Sequence, residues 1–193
     1  MKHAIALIAT LFATHTAFPP RAENASAERL LSTIERFGDD LDTIRWGEVP
    51  CGFVQKHANT IRTLRAQIVS NEPPVWQTDI DDVFHAPMPP LRLQFRVFEI
   101  LAADATSQRN PAIAWTDLHA MWILDRSLFD RPEASSIRTA LFARHMILDA
   151  SNHLGPRPEW WREVESFDTA TAAARSHGYE VWLYVMQVYK TIV

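Results

Sequence analysis

The sequence predicts an all-α protein, an irregular bundle of about seven helices, and three observations carry that prediction. Apolar residues recur at alternating spacings of three and four through most of the chain, the period of one helical face. Glycine is scarce: there are five in 193 residues, where ordinary usage gives about 13. That leaves little material for tight β-hairpins. Asparagine and proline stand where helices begin, as at Asn110-Pro111.

Taken in order, Leu30, Ile34, Phe37, Leu41 and Ile44 form one helical stripe, weakened or kinked at Gly38 and ended by Gly47 and Pro50. A second stripe, Phe53, His57, Ile61, Leu64 and Ile68, runs from Gly52 and stops before Pro73-Pro74. Residues 71–90, with five prolines and the acidic Asp79, Asp81 and Asp82, read as a long loop. Between Leu91 and Val97 apolar and polar residues alternate at strand period, but the segment continues through Phe98, Ile100 and Leu101 to Ala102-Ala103, and its length favours a helix. The C-terminal Val181 to Val193, rich in Val, Tyr and Trp, has Glu180 at its start and Lys190 near its end, charges that suit a helix dipole. The alternative is α+β, with one antiparallel strand pair from residues 91–99 and 181–190.

The remaining helices have clear punctuation. Asn110 caps a helix that has Pro111 at its first position and an apolar face of Trp115, Leu118, Met121, Trp122, Leu128 and Phe129. Pro132 opens the next, through Ile137, Leu141 and Leu148 to Gly155-Pro156. Pro158 opens another, with Trp160, Val164, Phe167, Thr171 and Ala174 on one face and Gly178 as its stop.

The N-terminus decides the compartment. Lys2 precedes an apolar run from Ala4 to Phe12, and Ala25-Ser26-Ala27 has the form a signal peptidase accepts. Residues 1–27 are therefore expected to be a signal peptide and 28–193 a single helical domain, periplasmic or secreted. The run is far too short to span a bilayer, so no stable membrane span is expected after cleavage. Cleavage removes Lys2, Arg21 and Glu23, leaving the domain one charge more acidic than the −4 of the whole chain. An acidic balance of this kind excludes non-specific nucleic-acid binding. Cys51 is the only cysteine, so an internal disulfide is impossible, and burial as an inert thiol is expected.

Chemistry-bearing residues are few. His145, Asp149 and His153, four apart, share one helix face, and such a stripe can hold zinc or another divalent metal. Asp149 lies near a helix C-terminus, where the dipole disfavours a carboxylate and a cation is wanted. Asp125 interrupts an apolar stripe between Trp122 and Phe129, which implies burial and a partner such as Arg96 or Arg144. His57 interrupts another stripe, and a two-His, two-Asp site would form if His57 and Asp125 converged on His145 and Asp149. With Pro158 as a helix start, Trp160 falls in the core. Trp161 falls at its edge beside Glu165 and Asp168, a binding surface for a protein partner. No nucleophile elbow, phosphate loop or C-x-x-C is present. The reading is an exported, non-catalytic binding protein needing no cofactor. The alternative is a small metal-dependent hydrolase using His145, Asp149 and His153, with Asp125 as a further ligand or base.

Overall fold

The helix from Pro111 to Phe129 is apolar nearly all the way round, and such a helix is stable only when its neighbours surround it. A computed structural model of the chain, which describes residues 21–45, 47–50, 52–77, 91–131 and 133–192, places it at the centre. In chain order the helices are α1 (Ala25–Glu35), α2 (Phe53–Lys56), α3 (Ala58–Ser70), α4 (Leu91–Ser107), α5 (Pro111–Phe129), α6 (Ala134–Ser151), α7 (Trp161–Ser166) and α8 (Thr169–Ile192), with a 3₁₀ segment at Gly38–Thr43. Twelve of the 19 residues of α5 are buried. It packs against α3, α4 and α6, while α1 covers α3 and α8 lies on α6. The N-terminal residues to 20, Cys51, the acidic loop with Asp79, Asp81 and Asp82, and Pro132 lie outside the described residues.

The all-α prediction holds, and the α+β alternative is overturned. Residues 91–99 and 181–190 lie within α4 and α8, and among the described residues β structure is confined to isolated bridge positions, such as Arg45 with Glu48. Alternation over 91–97 is short, whereas Val97, Phe98, Ile100, Leu101 and Ala105 are all buried, a set only helical geometry brings to one side. Among the described residues no helix is long and apolar enough to cross a membrane.

Local chemistry explains where the helices break. Gly38 takes φ +58, a left-handed conformation that ends the first stripe as an α-helix and starts the 3₁₀ segment. Phe37, Leu41 and Ile44 still reach the core. The second stripe breaks at His57, whose Nε2 lies 2.7 Å from Asp40 Oδ2 and whose ring packs on Phe37 and Phe53. Lys56 Nζ stands 2.5 Å from the same carboxylate oxygen. Hydrogen bonds from Lys56 and His57 hold the Asp40 carboxyl below its usual range.

Two expectations in the C-terminal third are corrected. Pro158 does not open a helix; the 158–160 segment is a turn, and α7 starts at Trp161, whose N–H donates to Pro158 O. Phe167 is extended, and Asp168 then starts α8, its carboxylate accepting from Thr171 N at 3.0 Å and Thr171 Oγ1 at 2.6 Å. Gly178 does not stop the helix, and α8 runs through it to Ile192. A glycine without left-handed φ costs a helix about 1 kcal/mol but does not end it.

Asn24 ties two distant segments together. Its side-chain oxygen accepts from Ala27 N, capping α1, and also from Val75 N, each at 3.0 Å. Its backbone N–H donates to Val75 O, and its Nδ2 donates to Pro73 O. Beyond that point Trp76 Nε1 donates to Ser127 Oγ at 2.9 Å, and Arg131 Nη1 to Gln77 O at 2.7 Å. The 73–77 segment is therefore laid along α5 and fastened at both ends. Ala25-Ser26-Ala27, the expected cleavage motif, forms the first turn of α1, with Ala27 fully buried.

Replacing Asn24 by Ala removes the cap together with the side-chain ties to Pro73 O and Val75 N, and leaves the backbone bond to Val75 O. The expected loss is about 1–2 kcal/mol in urea unfolding, and Asn24→Ser, which keeps a capping oxygen, recovers part of it. An Asn24→Ala loss within about 0.3 kcal/mol would show that the clamp contributes nothing.

Candidate functional site

Past its first turns, α5 reaches solvent at His119, Ile123 and Arg126, a stripe that its C-cap residue Asp130 continues. That stripe floors a groove of about 330 Å³. One wall is Pro73–Val75, held by Asn24; the other is Glu163 of α7, Phe167 and Arg175 of α8. Glu163 closes the geometry, its Oε2 accepting from Arg126 Nη1 at 3.1 Å and from Trp122 Nε1 at 3.4 Å. The ring of His119 stacks on Trp160 with centroids 4.7 Å apart and planes 16° apart. Burial lowers the His119 pKa against the opposing charge of Glu163, so the imidazole is neutral at pH 7. The groove lining thus combines apolar Ile123 and Phe167 with charges of both signs.

Beneath it lies Asp125. Its side chain is fully buried, and Arg144 Nη2 donates to its Oδ2 at 2.5 Å. Arg144 also donates to Thr169 Oγ1, and its guanidinium carbon lies 4.5–5.0 Å from the ring centres of Phe167, Phe129 and Trp122. Burial pushes the Asp125 carboxyl up to about 7 against the pull of Arg144. Asp125 thus has the ionic partner expected of it, while no solvent or substrate reaches its carboxylate.

The other candidates are dispersed. His145 and Asp149 are exposed on α6, and α6 ends at Ser151, so His153 leaves the helical phase that a three-residue stripe requires. Among the described residues no group of three or more His, Cys, Asp or Glu side chains could hold a metal ion. Convergence of His57 and Asp125 on His145 and Asp149 does not occur: His57 pairs with Asp40, Asp125 with Arg144.

The tryptophan pair is reversed. Trp161 is 2% exposed, edge-on to Trp115 at 5.5 Å, with its Nε1 donating to Glu165 Oε1 at 3.0 Å and Arg157 over its ring. Trp160 is the half-buried partner. The cause is the start of α7: once Trp161 is the first helical residue, Trp161 and Val164 face inward. Glu165 and Asp168 are exposed, but Glu165 holds Trp161 and Asp168 caps α8, so the expected surface of Trp161, Glu165 and Asp168 does not form. The groove residues His119, Arg126, Glu163 and Arg175 escaped the sequence reading, although the 119, 123, 126, 130 stripe is visible as the wet edge of an otherwise apolar helix.

Two mutational outcomes follow. Asp125→Ala or Arg144→Met alone leaves a buried charge without its partner and should cost about 3–5 kcal/mol, and the paired Asp125→Leu/Arg144→Met variant should recover most of that loss. Trp161→Ala should cost about 3 kcal/mol or more as a core cavity, and Trp160→Ala markedly less. Equal losses for the two tryptophans in urea unfolding would contradict the packing described. Compared with known proteins, the chain matches no family model, no curated protein and no solved structure.

Proposed function

We propose that this chain is an exported, non-catalytic binding protein that takes an extended peptide segment of a protein partner in the groove along α5. The observation that carries this reading is the shape and lining of the groove. His119 to Asp130 covers about 16 Å of helix, the length of about five residues of extended chain. Ile123 and Phe167 supply apolar lining, and Arg126, Arg175, Glu163 and Asp130 add cations and anions to it. A groove with apolar and charged lining of both signs suits alternating side chains of a peptide better than a compact, singly charged metabolite. The Pro73–Val75 wall contributes little polar backbone, since proline has no N–H and both polar groups of Val75 are engaged by Asn24. Specificity therefore resides in side-chain pockets. Export rests on the N-terminal sequence, from Lys2 through the apolar run to Ala27.

Selection of random short peptides against the full exported chain tests the groove. Peptides that bind the wild type and lose affinity about tenfold or more toward Ile123→Glu, a change of about 1.4 kcal/mol, are the expected result. Peptides that bind both forms equally, or a selection that yields none, would overturn the reading. Export is checked by fractionating the native host and measuring the mass of the N-terminal peptide. An intact Met1 or Lys2 terminus in the soluble cytosol would overturn it.

A further inference from the structure

We propose that Asp104 and Asp117 hold a single proton between them, forming a proton-binding site where α3, α4 and α5 meet that tightens the fold as the medium acidifies. The site is independent of the peptide groove. One guanidinium serves both carboxylates: Arg65 Nη1 of α3 lies 2.6 Å from Asp117 Oδ1 of α5 and 3.1 Å from Asp104 Oδ2 of α4. The Asp117 side chain is fully buried and that of Asp104 is 8% exposed. With both acids ionised, the cluster would carry an uncompensated negative charge in the interior, which is costly.

Hydrogen bonding points the same way. Asp104 Oδ1 accepts from Gln108 Nε2 at 2.7 Å, whereas Asp117 Oδ2 is buried and meets no donor. A proton on Asp117 turns that oxygen from an unmatched acceptor into a donor, and the carboxylate of Asp104 is within hydrogen-bonding reach. Arg65 and Asp104 are the charged groups that act on Asp117; Gln108, the remaining partner in the cluster, is neutral. Burial, the largest influence, and the negative charge of Asp104 raise the Asp117 carboxyl to about 7, with Arg65 opposing. Asp104 opens onto a cavity of about 490 Å³ lined by Val54, Ala58 and Gln108, which connects the site to solvent.

The direction of the effect follows from linkage. A carboxyl whose pKa rises from 3.8 to about 7 on folding binds its proton more tightly in the folded state. Its stabilisation is complete below 3.8 and is lost as pH rises to about 7. In this window Asp125 and His119 also contribute, so the wild type is compared with a variant differing only at Asp117.

The experiment follows the full chain by urea unfolding at pH 5 and pH 8, together with carbon-detected NMR titration of its carboxyl groups. The wild-type unfolding constant should increase between the two pH values by about tenfold or more beyond the increase in Asp117→Asn, which mimics the protonated acid. The Asp117 carboxyl should titrate near 7 in the wild type and at lower pH in Asp104→Asn, where the second negative charge is gone. An Asp117 midpoint below about 5 in the wild type would overturn the proposal. So would equal pH dependence in wild type and Asp117→Asn. A midpoint unchanged in Asp104→Asn would assign the proton to Asp117 alone and overturn the sharing. Should Asp117→Asn fail to fold, the wild-type and Asp104→Asn titrations decide.

Discussion

A helix enclosed by its neighbours cannot carry a carboxylate without a cation reaching in from one of them. α5 carries two such acids, Asp117 and Asp125, both fully buried, and much of the architecture answers to their neutralisation. Arg65 comes from α3 and Arg144 from α6, helices on different sides of α5. Each ion pair fixes the rotation of α5 against one neighbour, as apolar contacts alone do less sharply, since oily surfaces slide more readily than a donor leaves its acceptor. The two pairs differ in stoichiometry: Asp125 has a guanidinium of its own, while Asp117 shares one with Asp104.

The Arg144 pair reaches further than its own carboxylate. Trp122, Phe129 and Phe167 surround the guanidinium, and Thr169 takes its second donor group. Phe167 is the extended residue separating α7 from α8, so the cation bound to α5 also packs against the point where the C-terminal helices part. Glu163, on the short helix before that break, reaches back to Trp122 and Arg126. The lining of the groove is in this way anchored on Trp122, Phe129 and Arg144, side chains that belong to the core.

The sequence carried the architecture more clearly than the site. Asn110-Pro111 marks the start of α5 because capping is local chemistry, and the burial of Asp125 follows from its apolar neighbours with Arg144 among its natural partners. Breaks were harder to read. Nothing local separates a kink at Gly38 from a change to 3₁₀ geometry, or reveals that Gly178 is traversed. The tryptophan reversal has the same origin: moving the helix start from Pro158 to Trp161 changes which ring faces inward. The Asp117 cluster was illegible for another reason, since Arg65 lies 52 positions away in the chain and no periodicity links them.

The Asn24 clamp has a consequence for maturation. The wall of the groove opposite α7 is fastened by a residue that sits upstream of the Ala25-Ser26-Ala27 motif. A chain trimmed immediately upstream of Asn24 would keep that fastening, whereas one trimmed after Ala27 would retain every α5 side chain of the groove and lose the tether on its far side. The position of a single peptide-bond cut, some distance from the groove along the chain, would thus set whether its two banks are equally rigid. N-terminal processing and ligand access would be read from the same asparagine.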